Sequence, residues 1–296
     1  MSPLTQVQSG HAFEYGIAIT FRQQYPNALL VDDAPMQVAR SAYERASQVE
    51  KDRIVRAANR AIDFLIEREP NLSIGEGYSI SISADREGIE GDVRDVIIAN
   101  NDVSVGISAK NRHRAVRHSR LSQTIDFGMR WFGYPASDQY FNAVKPIFDE
   151  LRNLTDGKRK WNQLSNKAQR FYLPVLNAFI AEVEVLCSLS DAPKRMVEYM
   201  LGTQDFYKIV KENGSVLIQS FNLHNTLGWG NRLRYPARLI EARLKDRSAT
   251  TVEITFDQGW SLSFRIHNAS EFVEPSLKFD VQFIGFPNIS QNQINY

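Results

Sequence analysis

The chain has 296 residues, 43% of them hydrophobic and 11% aromatic, which suits a large buried core and excludes both a disordered chain and a small disulfide-stapled one. Its single cysteine, Cys187, lies in an apolar run with no partner, so a reducing compartment is expected. There is no apolar stretch of about 18 residues and no signal-like N-terminal order, so the expected location is the cytoplasm, away from any membrane. The net charge of +1 is uninformative as a total, but its distribution is uneven. Residues 108–120 hold five cations and two histidines without an acid, residues 152–170 six cations against one acid, and residues 232–247 six against two. Three such clusters favour a polyanionic ligand.

Residues 10–25 read as a helix with Phe13, Ile17 and Phe21 on one stripe and Glu14 beside it, about 20° from Phe21 on a helical wheel. Asp33 caps, and Pro35 opens, one long helical region that runs to about Glu69 and ends at Pro70. Strict alternation over residues 78–84 predicts a strand, followed by strands at 93–99 and 103–109 around Asn100-Asn101-Asp102. Helical periodicity returns over 137–203. The last third reads as strands at 215–221, 251–256, 260–266 and 277–284, with a turn at Asp257-Gln258-Gly259 between the middle two. The expected division is an α/β core at 1–136, a helical segment at 137–203 and a β-rich recognition region at 204–296.

The chemistry-bearing segment is Gly91-Asp92-Val93-Arg94-Asp95-Val96-Ile97-Ile98, then the turn, then Val103 to Lys110. An aspartate heads one apolar strand and a lysine ends the next, as in the PD-(D/E)XK nuclease hairpin. Phosphodiester hydrolysis wants such residues: carboxylates hold Mg²⁺ against the phosphate, and lysine orients the attacking water and offsets developing charge. A two-residue turn at Asn100-Asn101 pairs Asp95 with Gly106 and puts Asp95, Ser108 and Lys110 on one face. Asp92 remains a second candidate for the metal, because a three-residue turn would reverse the choice. Ser108 stands where the motif has its second acid, so either Glu14 or Asp92 completes the coordination, or a water or backbone carbonyl does. Glu14 is favoured, since an acid beside an apolar stripe needs a partner when buried.

Next comes Asn111-Arg112-His113-Arg114-Ala115-Val116-Arg117-His118-Ser119-Arg120-Leu121-Ser122. This text resembles the HaeIII family of type II restriction endonucleases, as do Gly10-His11-Ala12-Phe13-Glu14, Gly91 to Asp95, His267-Asn268-Ala269-Ser270 and Glu274-Pro275-Ser276-Leu277-Lys278-Phe279-Asp280, in the expected order. The resemblance implies a Mg²⁺-dependent bacterial enzyme that cuts double-stranded DNA within GGCC, with a cognate DNA methyltransferase as its genetic partner; a homodimer is the candidate assembly, which the sequence itself does not fix. Carried over by position, Asp95 and Lys110 are the catalytic pair, with Glu14, Asp92 and Ser108 assisting. Arg112, Arg117 and Arg120 read as phosphate clamps, and Asn111, His113 and His118 face the same ligand. Arg232, Arg234, His267, Asn268 and Lys278 are candidate contacts in the β-rich end. A repair nuclease on the same hairpin and a DNA-binding protein without catalysis are the rival readings, the latter favoured by Ser108 and opposed by Lys110.

Overall fold

Thr5 starts the first helix by accepting from Gln8 N while Gln8 reaches back to the Thr5 backbone, a reciprocal cap that satisfies two end donors. This computed structural model describes residues 4–70, 72, 77–84, 92–111 and 117–296. Helix α1 spans Gln6–Gln24 and buries Phe13, Ile17 and Phe21, the stripe expected from spacing. The long helical region expected from Asp33 onward is instead two helices, α2 at Ala34–Arg45 and α3 at Gln48–Arg68. The break has a local cause. Ala46 is extended, and the Ser47 side chain caps Glu50 N to restart the helix.

Twelve strands among the described residues form two sheets. They are β1 Leu29–Leu30, β2 Ser79–Ile82, β3 Val96–Ala99, β4 Ser104–Asn111, β5 Arg117–Leu121, β6 Phe206–Lys211, β7 Ser215–Phe221, β8 Leu239–Leu244, β9 Thr251–Phe256, β10 Ser261–His267, β11 Leu277–Gly285 and β12 Gln291–Asn295. One sheet runs β1-β2-β3-β4-β6-β7-β12 and the other β5-β11-β10-β9-β8. The fold is mixed α/β. Between β5 and β6 lie α4 Phe127–Phe132, α5 Asp138–Asp156, α6 Leu173–Leu186 and α7 Ala192–Leu201, the helical insertion that periodicity announces.

The chain divides into two compact units, and their boundaries differ from the expected sequential ones. The first comprises Met1–Arg114, Gly202–Leu233 and Asn288–Tyr296; the second comprises Ala115–Leu201 and Arg234–Pro287. The difference arises because β6, β7 and β12, placed by sequence in a recognition region, hydrogen-bond into the sheet that carries the Asp95 hairpin. In the first unit, Phe13, Ile17, Ile54, Ala58 and Leu65 share a core with Ile80, Ile98, Ile107 and Ile209. The second has an aromatic core in which Phe127, Trp131, Phe179, Phe264 and Phe279 meet at ring separations of 5.1–6.3 Å.

The α1–α3 crossing is tight at Gly16, where a Cβ would lie 2.2 Å from Ile54 Cγ2. Ile54 is fully buried and has nowhere to move. Gly16→Ala should therefore destabilise the first unit by about 1–3 kcal/mol despite alanine's better helix propensity. Urea denaturation checks this, and a gain in stability would show that the helices can part freely.

Candidate active site and DNA-facing surface

Asp95 directly precedes β3, whose antiparallel pairing with β4 begins at Val96–Ile107, and its own N donates to Ile107 O at 2.8 Å. The loop from 100 to 103 has four residues where two were expected. Asn100 closes it, with Oδ1 accepting from Asp102 N and Val103 N at 3.0 and 2.9 Å and its own N donating to Val103 O at 2.9 Å. Pairing therefore moves by two positions, so Gly106 pairs with Ile97 and not with Asp95. An even shift preserves side-chain parity. Asp95, Ser108 and Lys110 stay on one face, opposite the core face of Val96, Ile98, Val105 and Ile107.

On that face a single oxygen gathers three donors. Asp95 Oδ2 accepts from Ser108 Oγ at 3.2 Å, Ala109 N at 2.7 Å and Lys110 Nζ at 2.9 Å. Among the described residues Oδ1 accepts no hydrogen bond. Helix α1, which packs on β4, brings Glu14 within electrostatic reach of both Asp95 and Lys110. Burial pushes the Glu14 carboxyl above its ordinary range, and the Asp95 charge adds to this; a 3.1 Å contact with His11 Nδ1, the His11 charge and Lys110 pull the other way. Ser9 at the same end of α1 accepts from Asn111 Nδ2.

Asp92 lies apart from this set in its bonding. Arg94 engages both its oxygens, through Nε at 2.9 and 3.1 Å and Nη2 at 2.7 Å, and adds its backbone N at 3.0 Å. Burial favours the neutral acid, but the Arg94 hydrogen bonds and charge outweigh it and hold the carboxyl below the ordinary range. Arg94 was not singled out by sequence, nor was Lys208. Lys208 pairs in parallel register with Ser108, one position after the core pair Ile107–Tyr207, and so shares the face of Ser108. A lysine inside the run Phe206-Tyr207-Lys208-Ile209-Val210 was the available signal.

The donor set suits a hard divalent cation: an open Asp95 oxygen and a buried Glu14 whose ionised forms repel each other. Among the described residues no three acids, histidines or cysteines converge. A cation there would complete its shell with waters, backbone oxygens and the substrate phosphate, the habit of Mg²⁺.

In the second unit, register aligns Arg120, Lys278 and His267 in one row across β5, β11 and β10, with Asp280 and Arg265 in the next row of the same face. Strand spacing of about 5 Å keeps the three basic groups close. Arg120 Nη1 is ion-paired with Glu274 and donates to Ser276 Oγ at 2.9 Å. Burial favours neutral Glu274, but Arg120 and nearby charges outweigh this and lower its pKa. His267 Nε2 lies 3.2 Å from Asp280 Oδ2. Arg117 and His118 are described only by backbone pairing with Val281 and Asp280, and Arg112 and His113 lie outside the described residues. Arg232 and Arg234 are exposed. Asn268 is buried, with Nδ2 donating to Ser270 O and Phe272 O and Oδ1 accepting from Glu274 N. Its amide is engaged within the 268–274 loop and is not offered to a base.

Asn268→Ala should accordingly cost about 2 kcal/mol of stability by stranding loop groups. Lys278→Ala should leave the urea midpoint nearly unchanged and weaken DNA binding. The reverse pattern would make Asn268 the contact. Glu14 gives a pH signature. Native protein retains a proton on Glu14 above the ordinary value of 4.5, so metal-free protein should lose stability as pH rises from there through the raised native value. Glu14→Gln, always neutral, should be the more stable form at neutral pH in EDTA, and its advantage should vanish below pH 4.5. A difference constant with pH would mean that Glu14 ionises equally in both states.

Comparison with known proteins bears on the same residues. A family model described as HaeIII restriction endonuclease matches residues 10–287, a span that includes Glu14, the Asp95–Lys110 hairpin and the Arg120–Lys278–His267 row. The type II restriction enzyme HaeIII of Haemophilus aegyptius is 38% identical over 299 residues, covering 94% of this chain and 94% of that enzyme. No solved structure matches. A likeness that runs through both units and includes the carboxylate–lysine hairpin leaves one conclusion, that this chain belongs to the HaeIII restriction endonuclease family.

Proposed function

We propose that this chain cuts double-stranded DNA within GGCC by direct hydrolysis, with Asp95 and Glu14 holding Mg²⁺ and Lys110 acting on the attacking water. Family membership supports the reaction class and the target. The observation that carries the site is the convergence of Ser108, Ala109 and Lys110 on one oxygen of Asp95 while the other stays open. Bound there, Mg²⁺ would supply Lewis-acid polarisation of the phosphate and a more acidic water.

The residues contribute separately. Ser108 Oγ and Ala109 N fix the Asp95 carboxylate, so that its open oxygen needs little reorganisation on binding. Lys110 Nζ gives one hydrogen to Asp95 and has two more for a water or phosphate oxygen, placing positive charge where negative charge develops. The Arg120–Lys278–His267 row offers contacts to the DNA backbone. A four-base-pair palindrome has two-fold symmetry, and a two-fold homodimer would present one site to each strand. In this reading the enzyme acts in the bacterial cytoplasm beside a methyltransferase that protects host sites. No helix among the described residues is long and apolar enough to cross a membrane.

Purified protein should cut unmethylated plasmid at GGCC with Mg²⁺, leave it whole in EDTA, and spare DNA methylated at that site. Asp95→Asn and Lys110→Ala should each slow cutting by about 10²–10³-fold while DNA binding persists. Fragments mapping to another sequence would overturn the target. Failure to cut with either Mg²⁺ or Mn²⁺ would overturn the catalytic reading.

A further inference from the structure

Gly106 lies on the face of β4 that carries Ser108 and Lys110, and the space above it is filled. A Cβ there would come within 2.0 Å of Arg94 Cδ, 2.6 Å of Cγ and 3.3 Å of Cβ. The Arg94 stem therefore crosses the catalytic face about 7 Å along the strand from Ser108. Its guanidinium is gripped on the Nε and Nη2 side by both oxygens of Asp92. Among the described residues Nη1 has no partner. The Arg94 side chain is 15% exposed and that of Asp92 26%, so the pair is sheltered but reachable.

An arginine used only as half of a surface ion pair needs neither the glycine beneath it nor a partner that fixes its plane. Here a missing side chain makes its bed, a carboxylate sets its orientation, and one edge of the fork stays open at the end of a stem that crosses the face of Ser108 and Lys110. Guanidinium groups so fixed suit a phosphate oxygen, because the entropy of aligning them is lost on folding and not on binding. We infer that Arg94 contacts a backbone phosphate of the strand being cut, and that Asp92 is its positioning residue and not a metal ligand. This rests on the nuclease reading, and it gives Gly106 a reason: any larger side chain would evict Arg94.

The test uses full-length protein, a 20-base-pair duplex containing GGCC and a scrambled duplex of equal composition, with binding followed by fluorescence anisotropy in Ca²⁺ across a salt series. Arg94→Met should weaken both duplexes about tenfold, as expected for one charge-assisted hydrogen bond, and reduce the salt slope by about one unit. Gly106→Ala, which removes no charge, should reproduce both effects. Asp92→Asn should weaken binding less, the Asp92→Asn/Arg94→Met double variant should be no worse than Arg94→Met alone, and the Mg²⁺ concentration for half-maximal cutting should stay unchanged in Asp92→Asn. Arg94→Lys keeps the stem and the charge, and it carries the test should Arg94→Met fail to fold. It should retain the salt slope while losing affinity, because a lysine cannot be held in the bidentate grip. Unchanged salt slopes in Arg94→Met and Gly106→Ala would overturn the assignment. So would a several-fold rise in the Mg²⁺ requirement of Asp92→Asn with normal binding by Arg94→Met, which would return Asp92 to the metal. Cutting of the GGCC duplex by wild type judges the nuclease reading on its own: if wild type binds but does not cut, that reading falls while the salt slopes still decide Arg94.

Discussion

One carboxylate oxygen, Asp95 Oδ2, ties the approach to β3 to the far half of β4 through a hydroxyl, a backbone amide and an ammonium. A bond set of this kind is possible only in one register. Shift the pairing by a single residue and Asp95 turns toward the apolar layer while Val96 and Ile98 turn out of it. The core beneath the sheet therefore enforces the polar geometry above it. Packing of Phe13 and Ile17 on that core also fixes the rotation of α1 that brings Glu14 toward the same charges. Fold and site share one constraint.

That constraint was partly legible in the sequence. Alternation at 78–84 and the apolar runs around Asn100 marked the strands, and the grouping of Asp95, Ser108 and Lys110, drawn from a two-residue turn, survives because the loop is longer by an even number of residues. The register itself was displaced because the Asn100 side chain closes a wider loop by accepting two backbone hydrogens, a choice that residue type alone leaves open. The helix break at 46–47 was readable in principle, as Ser47 and Glu50 have capping spacing. Strand β6 was not: Phe206–Lys211 is buried on both sides, so it has no alternation to detect. Strand β12, Gln291–Asn295, is a polar edge held by backbone pairing with β7. Joining residues 206–221 and 291–295 to a hairpin at 95–110 depends on pairing across long stretches of chain, which composition and periodicity do not carry.

Candidate contacts divide along similar lines. Lys278, Arg120 and His267 are distant in sequence but adjacent by strand register, so their common face emerges only with the sheet. Asn268 attracted attention as a residue type that reads bases, yet it serves its own loop, as short polar side chains near backbone often do. Asp92 drew the same attention as a carboxylate beside a catalytic strand. Its two oxygens are instead committed to Arg94, two residues away, in a segment without regular periodicity that could have revealed the pairing.

Serine at 108, the departure from the usual acid, follows from the charges around it. A carboxylate at that position would stand beside Asp95, which is itself close enough to Glu14 to raise that buried acid's pKa. A third negative charge in this space would raise proton affinities further and weaken any site that needs its acids ionised. The hydroxyl brings no charge of its own. Ser108 Oγ donates to Asp95 Oδ2, and Lys208 stands beside Ser108 in the neighbouring strand register. A second carboxylate comes from a different element, since Glu14 on α1 lies within electrostatic reach of Asp95 and Lys110. With one acid on the helix and the hydrogen bond on the strand, a stretch that shows a single acid along the hairpin has a second acid near it in three dimensions.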